Sequence, residues 1–250
     1  MKRSNNKIIL TGGHAGTTAL SVVEEIKNKK LNWEVHWIGP KNAIEGRKSL
    51  SLEFKYFSKL NIKIHSIIFG KLQRRFSVWA VLSLFKIPVG FIQALYFLIK
   101  IKPFIVLSFG GFASFPVVIL SKLFKIPVLI HEQTTVAGRT NILSAKFADK
   151  ILLSRSESEV YFPKDKCVVV GNPILARYFK NNKNLRKSDR KTLLIVGGSR
   201  GSQQINKLIK QILERLLDKY NIIHISGEPD YNEFDKIKTN LSIDKSKYYN

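Results

Sequence analysis

The sequence has almost no cysteine or methionine: one of each, Cys167 and Met1, in 250 residues. A single thiol excludes an internal disulfide and a thiolate metal site, and its place in the apolar run CVVVGNP predicts a small buried hydrophobe. Acidic residues are scarce too, 18 against 42 Lys and Arg, for a formal net charge of +24. None lies between Phe54 and His131, a stretch that carries Lys55, Lys59, Lys63, Lys71, Arg74, Arg75, Lys86, Lys100, Lys102, Lys122 and Lys125. So one-sided a segment calls for an anionic partner. No nucleic acid is expected, because the aromatics sit in aliphatic runs rather than interleaved with basic residues, and no binding module is recognisable. That favours an anionic lipid surface, where each nearby Lys or Arg adds about 1 kcal/mol to the burial of apolar side chains. There is no G-x-G-x-x-G, no Walker loop, no D-x-D and no His/Asp cluster, so neither a dinucleotide, a cofactor nor a metal is expected. The apolar stretch nearest the N-terminus, IIL, is too short for a secretory leader, which points to the reducing cytoplasm.

What is present is enough apolar material, 44%, to bury a core of one large domain or one and a half ordinary ones. Short β-branched runs recur at KIILTG (7–12), WEVHWIG (33–39), IKIHSII (62–68), FIVLSFG (104–110), PVLIHEQ (127–133), KILLS (150–154) and CVVVGNP (167–173), with helix-like stretches between them. This alternation predicts βαβ units, hence an α/β fold with a parallel, doubly wound sheet. After a charged stretch, YFKNNKNLRKSDRK (178–191), the pattern restarts with TLLIVGG, SQQINKLIKQILERLLDKY and NIIHISG, then runs into a polar end. We expect a first Rossmann-like domain over 1–170 and a partial second one over 171–250.

The most hydrophobic stretch, Phe76 to Ile99, is long enough for a transmembrane helix but has Lys86 and Pro88 at its centre. A central Lys costs roughly 2.5–3.5 kcal/mol, which a dozen apolar side chains outweigh, so hydropathy alone leaves a span open. Topology argues against it: one crossing would leave neighbouring strands of a single sheet on opposite sides of the membrane, so a true span, like a wholly internal core, is kept only as an alternative. The expectation is therefore two helices broken at Ile87–Pro88, the first lying on the membrane and the second on the sheet. The membrane-facing residues would be Ile67, Phe69, Lys71, Leu72, Arg74, Arg75, Phe76, Trp79, Leu82 and Phe85. His36, His65 and His224 fall within strands, where packing is the expected role.

Three Gly-Gly turns remain: ILTGGHAGTTAL, FGGFASFP and LLIVGGSRGSQQI. In parallel sheets ligands bind beyond the carboxyl ends of the strands, and glycine turns opening onto helices offer bare N–H groups to phosphates. All three turns are predicted in that position.

With TGGHAGTTAL, SFGGFASFPVVILSKLFKIPVLIHEQTTVAGRTN, FADKILLS, VVVGNPI and LLIVGGSRGSQQIN in this order, the chain resembles the MurG family of peptidoglycan glycosyltransferases from about Lys7 to about Gly227. The resemblance implies a GT-B fold and inverting transfer of N-acetylglucosamine from UDP-N-acetylglucosamine to lipid I (undecaprenyl-diphospho-MurNAc-pentapeptide), giving lipid II. The enzyme would sit peripherally on the cytoplasmic face of the cell membrane. It implies His14 as general base or orienting group, a role that suits imidazole near neutral pH, with Glu132 as a second catalytic candidate. Thr11, Gly12, Gly13, Thr134, Ser199, Arg200 and Gly201 would bind the donor and its diphosphate. Gly16, Thr17, Gly110, Gly111, Phe112, Gln133 and Asn141 would bind the acceptor. For Glu132 a buried network of backbone N–H groups is a serious alternative.

The chain departs from the family at Thr134, where Asn is usual, at Leu175, where Arg is usual, and at Arg200, where Gln is usual. Only 80 residues run from Gly171 to Asn250, so the second unit is half built and should expose an apolar face and edge. Three readings follow: a transferase lacking the end of its donor domain; an acceptor-binding subunit that needs a separate donor-domain chain; or a non-catalytic, membrane-bound lipid-diphosphate binder.

Overall fold

The computed structural model describes residues 6–13, 15–42, 50–60, 62–68, 78–176, 189–198, 201–227 and 229–250, with no side-chain description for 52 and 78–85. Two compact units result, Met1–Asn181 and Asn182–Asn250. The division falls later than the expected 170/171 because Leu175 packs into the first unit's core.

The first unit is a seven-stranded parallel sheet in the order β3-β2-β1-β4-β5-β6-β7. Its strands are β1 (Lys7–Thr11), β2 (Glu34–Gly39), β3 (Lys63–Ser66), β4 (Ile105–Ser108), β5 (Val128–Glu132), β6 (Lys150–Leu153) and β7 (Cys167–Val169). All seven expected strands are present. Alternate side chains point to opposite faces, so neighbours separate: Ile9, Ile38 and Val106 enter one cluster, while Leu10, Trp37 and Leu107 enter another. Helices α3 (Val78–Ile101) and α4 (Phe115–Leu123) cover the first face, through Ala94, Leu98, Ile101, Val117 and Val118. The second is covered by α1 (Gly16–Asn28), through Ala19, Leu20 and Val23, and by α2 (Leu52–Phe57), through Phe57. A short α5 (Arg139–Ser144) follows β5. Burial on both faces is why the inner strands β1, β2, β4, β5 and β6 read as apolar runs, while the edge strands β3 and β7 are partly exposed. The strand order reverses between β1 and β4, which makes that point the natural crevice.

Three details differ from expectation. Helix α3 continues through Pro88; the packing of Ala94, Leu98 and Ile101 holds the segment helical beyond a residue that removes one hydrogen bond. Ile67 is 2% exposed and lies in the core beside α3, so it is not a membrane-facing residue. Cys167 is free and half-buried, against the rim of the same core.

The second unit holds a two-stranded parallel sheet, β8 (Thr192–Val196) and β9 (Asn221–Ile225), with α6 (Gln203–Leu217), α7 (Tyr231–Asn240) and α8 (Ile243–Ser246). Its core is Ile209, Leu213, Leu217, Ile222, Phe234 and Tyr249. Leu194, Val196, Ile223 and Ile225 alternate onto the opposite face and are exposed, as a half-built unit requires.

Candidate functional site

The first two glycine turns meet at the β1/β4 switch point and lock together. Phe109 N–H donates to the Thr11 carbonyl (2.8 Å), and Gly13 N–H donates to the Gly110 carbonyl (2.9 Å). Gly110 and Gly111 have φ of 81° and 91°, a region that favours glycine. A Cβ on Gly111 would lie 2.8 Å from Gly13 N, and one on Gly110 would lie 2.6 Å from Asn141 Oδ1. Glycine is required here because two backbones and a buried side chain touch, and not only to turn the chain.

Two of the amides at the first turn are already used within the chain. Besides Gly13, the Ala15 N–H at the start of α1 donates to Glu53 Oε1 at 2.8 Å. Glu53 is 3% exposed, on a six-residue helix whose N-cap, Ser51, accepts from Phe54 N–H. Sequence reasoning passed over it; its one signal was the Ser-Leu-Glu start of a short helix preceding the acid-free stretch. His14, expected as the base, lies outside the described residues, as do Ser199 and Arg200. Gly16 is buried at the first position of α1 and Thr17 is exposed beside it.

Beyond β5, Glu132 is 2% exposed and both its oxygens are occupied. Oε1 accepts from Thr134 N–H (3.1 Å), with the Thr134 hydroxyl 2.8 Å away. Oε2 accepts from Gly138 N–H (3.0 Å) and Asn141 Nδ2 (2.9 Å). Three N–H donors hold the carboxylate, the Thr134 hydroxyl being shared with the Val136 carbonyl (2.8 Å), and together they build the 134–138 loop and seat α5, the network of N–H groups expected as the alternative to a catalytic role. Thr134 is exposed while its N–H is held by Glu132.

The strand tips are tied sideways. Gln133 Nε2 donates to the carbonyls of Phe109 (3.3 Å) and His131 (3.1 Å). His131 Nε2 lies 3.1 Å from the Gly171 carbonyl, an acceptor only, so Nε2 carries the proton and Nδ1 is left without a protein partner. Burial pushes the His131 imidazole below its ordinary pKa, against the Gly171 bond and the Glu132 charge. Asn141 Oδ1 and Thr11 Oγ1 also lack protein partners. Phe112 opens the 3-10 turn Phe112–Ser114 that leads into α4. Of the expected site residues in the first unit, Thr11, Gly12, Gly13, Gly110, Gly111, Gln133 and Asn141 are brought together around the ends of β1, β4 and β5.

In the second unit the third turn is braced from behind. Gly201, at φ 74°, lies so close to β9 that a Cβ would be 1.9 Å from the Ser226 carbonyl. Asn206 Nδ2 donates to that carbonyl (2.9 Å) and to Asp230 Oδ2 (2.6 Å). Its Oδ1 must then accept from His224 Nε2–H (3.1 Å), and His224 Nδ1 accepts from the Tyr249 hydroxyl (3.0 Å). Burial lowers the pKa of His224 and pushes Tyr249 up to about 12, so the chain of hydrogen bonds holds both rings neutral.

The remaining histidines pack, as expected. His36 Nδ1 and His65 Nε2 are 2.9 Å apart, and His36 Nε2 donates to Glu34 (3.0 Å). Among the described residues no group of three His, Cys, Asp or Glu could hold a metal.

Expected membrane residues Phe69, Lys71, Leu72, Arg74, Arg75 and Phe76 lie outside the described residues, and the side chains of Trp79, Leu82 and Phe85 are not described. The exposed side of α3 carries Val89, Ile92, Tyr96 and Ile99 at helical spacing, a stripe that sequence reasoning had assigned to sheet packing. Among the described residues no helix is long and apolar enough to cross a membrane.

Residues 8–153 match the glycosyltransferase family 28 N-terminal domain, and 192–250 match the family 28 C-terminal domain. The chain is 38% identical, over 238 residues, to a UDP-N-acetylglucosamine--N-acetylmuramyl-(pentapeptide) pyrophosphoryl-undecaprenol N-acetylglucosamine transferase of Clostridium novyi (strain NT), covering 92% of this chain and 64% of that protein. The Clostridium tetani (strain Massachusetts / E88) protein of that name is 38% identical over 252 aligned positions, covering 94% and 68%. The chain therefore spans about two thirds of these relatives' length. Among solved structures, Acinetobacter baumannii MurG aligns with a TM-score of 0.61 at 22% identity, over 98% of this chain and 69% of that one. A Neisseria meningitidis UDP-GlcNAc 2-epimerase bound to UDP-GlcNAc aligns with a TM-score of 0.56 at 14% identity, over 91% and 67%. These likenesses fit the GT-B class of fold.

Proposed function

Because the chain belongs to glycosyltransferase family 28, among its MurG members, we propose that it serves the transfer of N-acetylglucosamine from UDP-N-acetylglucosamine to lipid I. The observation that carries this reading is the interlocked pair of glycine turns at the switch point, in a chain 38% identical to enzymes of that name. In the proposed reaction the acceptor's sugar hydroxyl attacks the anomeric carbon of the donor, its proton passes to a base, and UDP leaves with inversion. His14, next in sequence to the locked Gly12–Gly13 turn, is the proposed base. Gln133 and Asn141 hold the floor on the acceptor side, with Glu132 as their anchor. No metal step is invoked; amides and side chains facing the departing diphosphate supply the stabilisation.

The donor half lies in the second unit, with Gly201 and the neighbouring Ser199 and Arg200 proposed for the diphosphate. Since the chain spans about two thirds of its relatives, the remaining donor contacts come from polypeptide beyond the matched region, in the same chain or a separate one. We further propose peripheral attachment to an anionic membrane at the cytoplasmic face, supported by the α3 stripe of Val89, Ile92, Tyr96 and Ile99 next to Lys100 and Lys102. Calorimetric titration with UDP-N-acetylglucosamine, with and without the C-terminal remainder of the Clostridium novyi relative, tests the donor assignment. Binding in neither case refutes it.

A further inference from the structure

We infer that Glu53 is a specificity-determining positioning residue: its carboxylate occupies the start of α1 and closes that helix end to phosphate, leaving the first glycine turn to uncharged groups. The inference rests on the proposed transferase site but concerns a different question, namely which part of the substrates the first turn can receive.

A glycine turn leading into a helix is ordinarily a place for an anion, because its amides are unpaired and the helix dipole is positive there. Here the anion is built in. Glu53 Oε1 accepts the Ala15 N–H at 2.8 Å across 38 residues of sequence, and the side chain is 3% exposed. Its seat is firm. Ser51 ties α2 to the chain after β2, its N–H donating to the Lys41 carbonyl (2.9 Å) and its hydroxyl to the Pro40 carbonyl (3.2 Å). Phe57, fully buried, packs edge-on against Trp37 with ring centroids 5.1 Å apart. Gly13 N–H is taken by the Gly110 carbonyl. A diphosphate brought to Ala15, Gly16 and Thr17 would face a carboxylate fixed within a few ångströms, where like charges repel. An acceptor sugar hydroxyl meets no such penalty. Glu53 therefore sorts the substrate: the hydroxyl end belongs at the first turn, and the charged linker belongs elsewhere.

The test is a site-resolved NMR titration with inorganic pyrophosphate, following the amides of Ala15, Gly16 and Thr17. Site resolution matters because a chain of net charge +24 binds pyrophosphate at many places. In the wild type these three signals should stay unmoved, with the Ala15 amide protected from exchange. Glu53→Gln keeps an acceptor oxygen and removes the charge. It should retain the protection of Ala15 yet let pyrophosphate shift the three amides, at least tenfold more tightly than in the wild type. Glu53→Ala should lose the protection as well. If Glu53→Gln does not fold, Glu53→Asp, which withdraws the charge by one methylene, should show the shift in weaker form. Movement of the three amides in the wild type overturns the inference, as does a charge-free variant that binds no better. A purely structural Glu53 would change protection without changing pyrophosphate specificity. No donor, acceptor or turnover is needed, so failure here leaves the transferase proposal intact, whereas loss of that proposal would leave a closed helix end with no substrate to sort.

Discussion

Replacing Glu132 with Gln isolates what its carboxylate does. The wild-type carboxylate accepts from three N–H groups, Thr134 on Oε1 and Gly138 and Asn141 on Oε2, and lies beside the Thr134 hydroxyl, whose single proton also reaches the Val136 carbonyl (2.8 Å). Glutamine has one oxygen. With that oxygen kept on Gly138 N–H and Asn141 Nδ2, its NH2 group can donate to the Thr134 hydroxyl but meets Thr134 N–H donor to donor, on a side chain 2% exposed. Hydrogen bonds to a charged group contribute about 1.5–3 kcal/mol each, and a buried donor left unsatisfied costs about 1–3 kcal/mol. One such bond is lost and two weaken, so about 2–4 kcal/mol of stability should disappear. For a unit of this size 1 kcal/mol moves Tm by roughly 2–4 °C, giving a fall of about 4–16 °C. The assay is selective, because all three tryptophans, Trp33, Trp37 and Trp79, lie in the first unit. Denaturant unfolding followed by tryptophan fluorescence therefore reports that unit alone. A loss below about 1 kcal/mol would refute the argument.

Acid should weaken the first unit before its carboxylates titrate. Burial, with His36 and Lys100 adding to it, lowers His65 from 6.5 to about 4, and burial lowers His36 too. Since the unfolded rings bind protons first, stability is full above about pH 6.5 and falls as pH drops towards 4. For the half-buried His65 we expect about 1–2 kcal/mol after allowing for solvent screening, and His65→Gln should flatten tryptophan-detected unfolding between pH 6.5 and 4.5. Leu175→Arg, which restores the residue usual in the family, should destabilise the first unit by about 3 kcal/mol or more, because Leu175 is 3% exposed in its core; an unchanged denaturation midpoint would contradict that packing. Gly201→Ala should disrupt the second unit, since its Cβ would overlap the Ser226 carbonyl; unchanged amide exchange in α6 and β9 would contradict it. Val89→Asp with Ile92→Asp should abolish sedimentation with anionic vesicles at low salt while leaving the fold intact by circular dichroism; retained sedimentation removes the α3 stripe from the membrane proposal.

The sheet was legible because the inner strands of the first unit are buried on both sides and so read as uninterrupted apolar runs, while the edge strands β3 and β7, though partly exposed, keep enough β-branched residues to show the same period. The meeting of two glycine turns was legible too, since both follow strands that a βαβ pattern places side by side. Helix α7 was not: among its ten residues only Phe234 is buried, and so sparse an apolar stripe leaves almost no period in the sequence. Pro88 misled because local backbone chemistry argues for a break, whereas packing of Ala94, Leu98 and Ile101 decides the outcome. Glu53 and the hydrogen-bonded cage of Glu132 were invisible or ambiguous for one reason. Their meaning depends on partners distant in the chain or on which backbone amides happen to converge, and composition records neither.

The close approach of Gly111 to the Gly13 backbone leaves no room for a side chain at the middle of the sheet. Any larger residue at 111 would have to push the first turn aside, so the floor of the crevice is bare main chain. Variation in what the crevice accepts is left to the side chains around it, and engineering aimed at new acceptors should begin there.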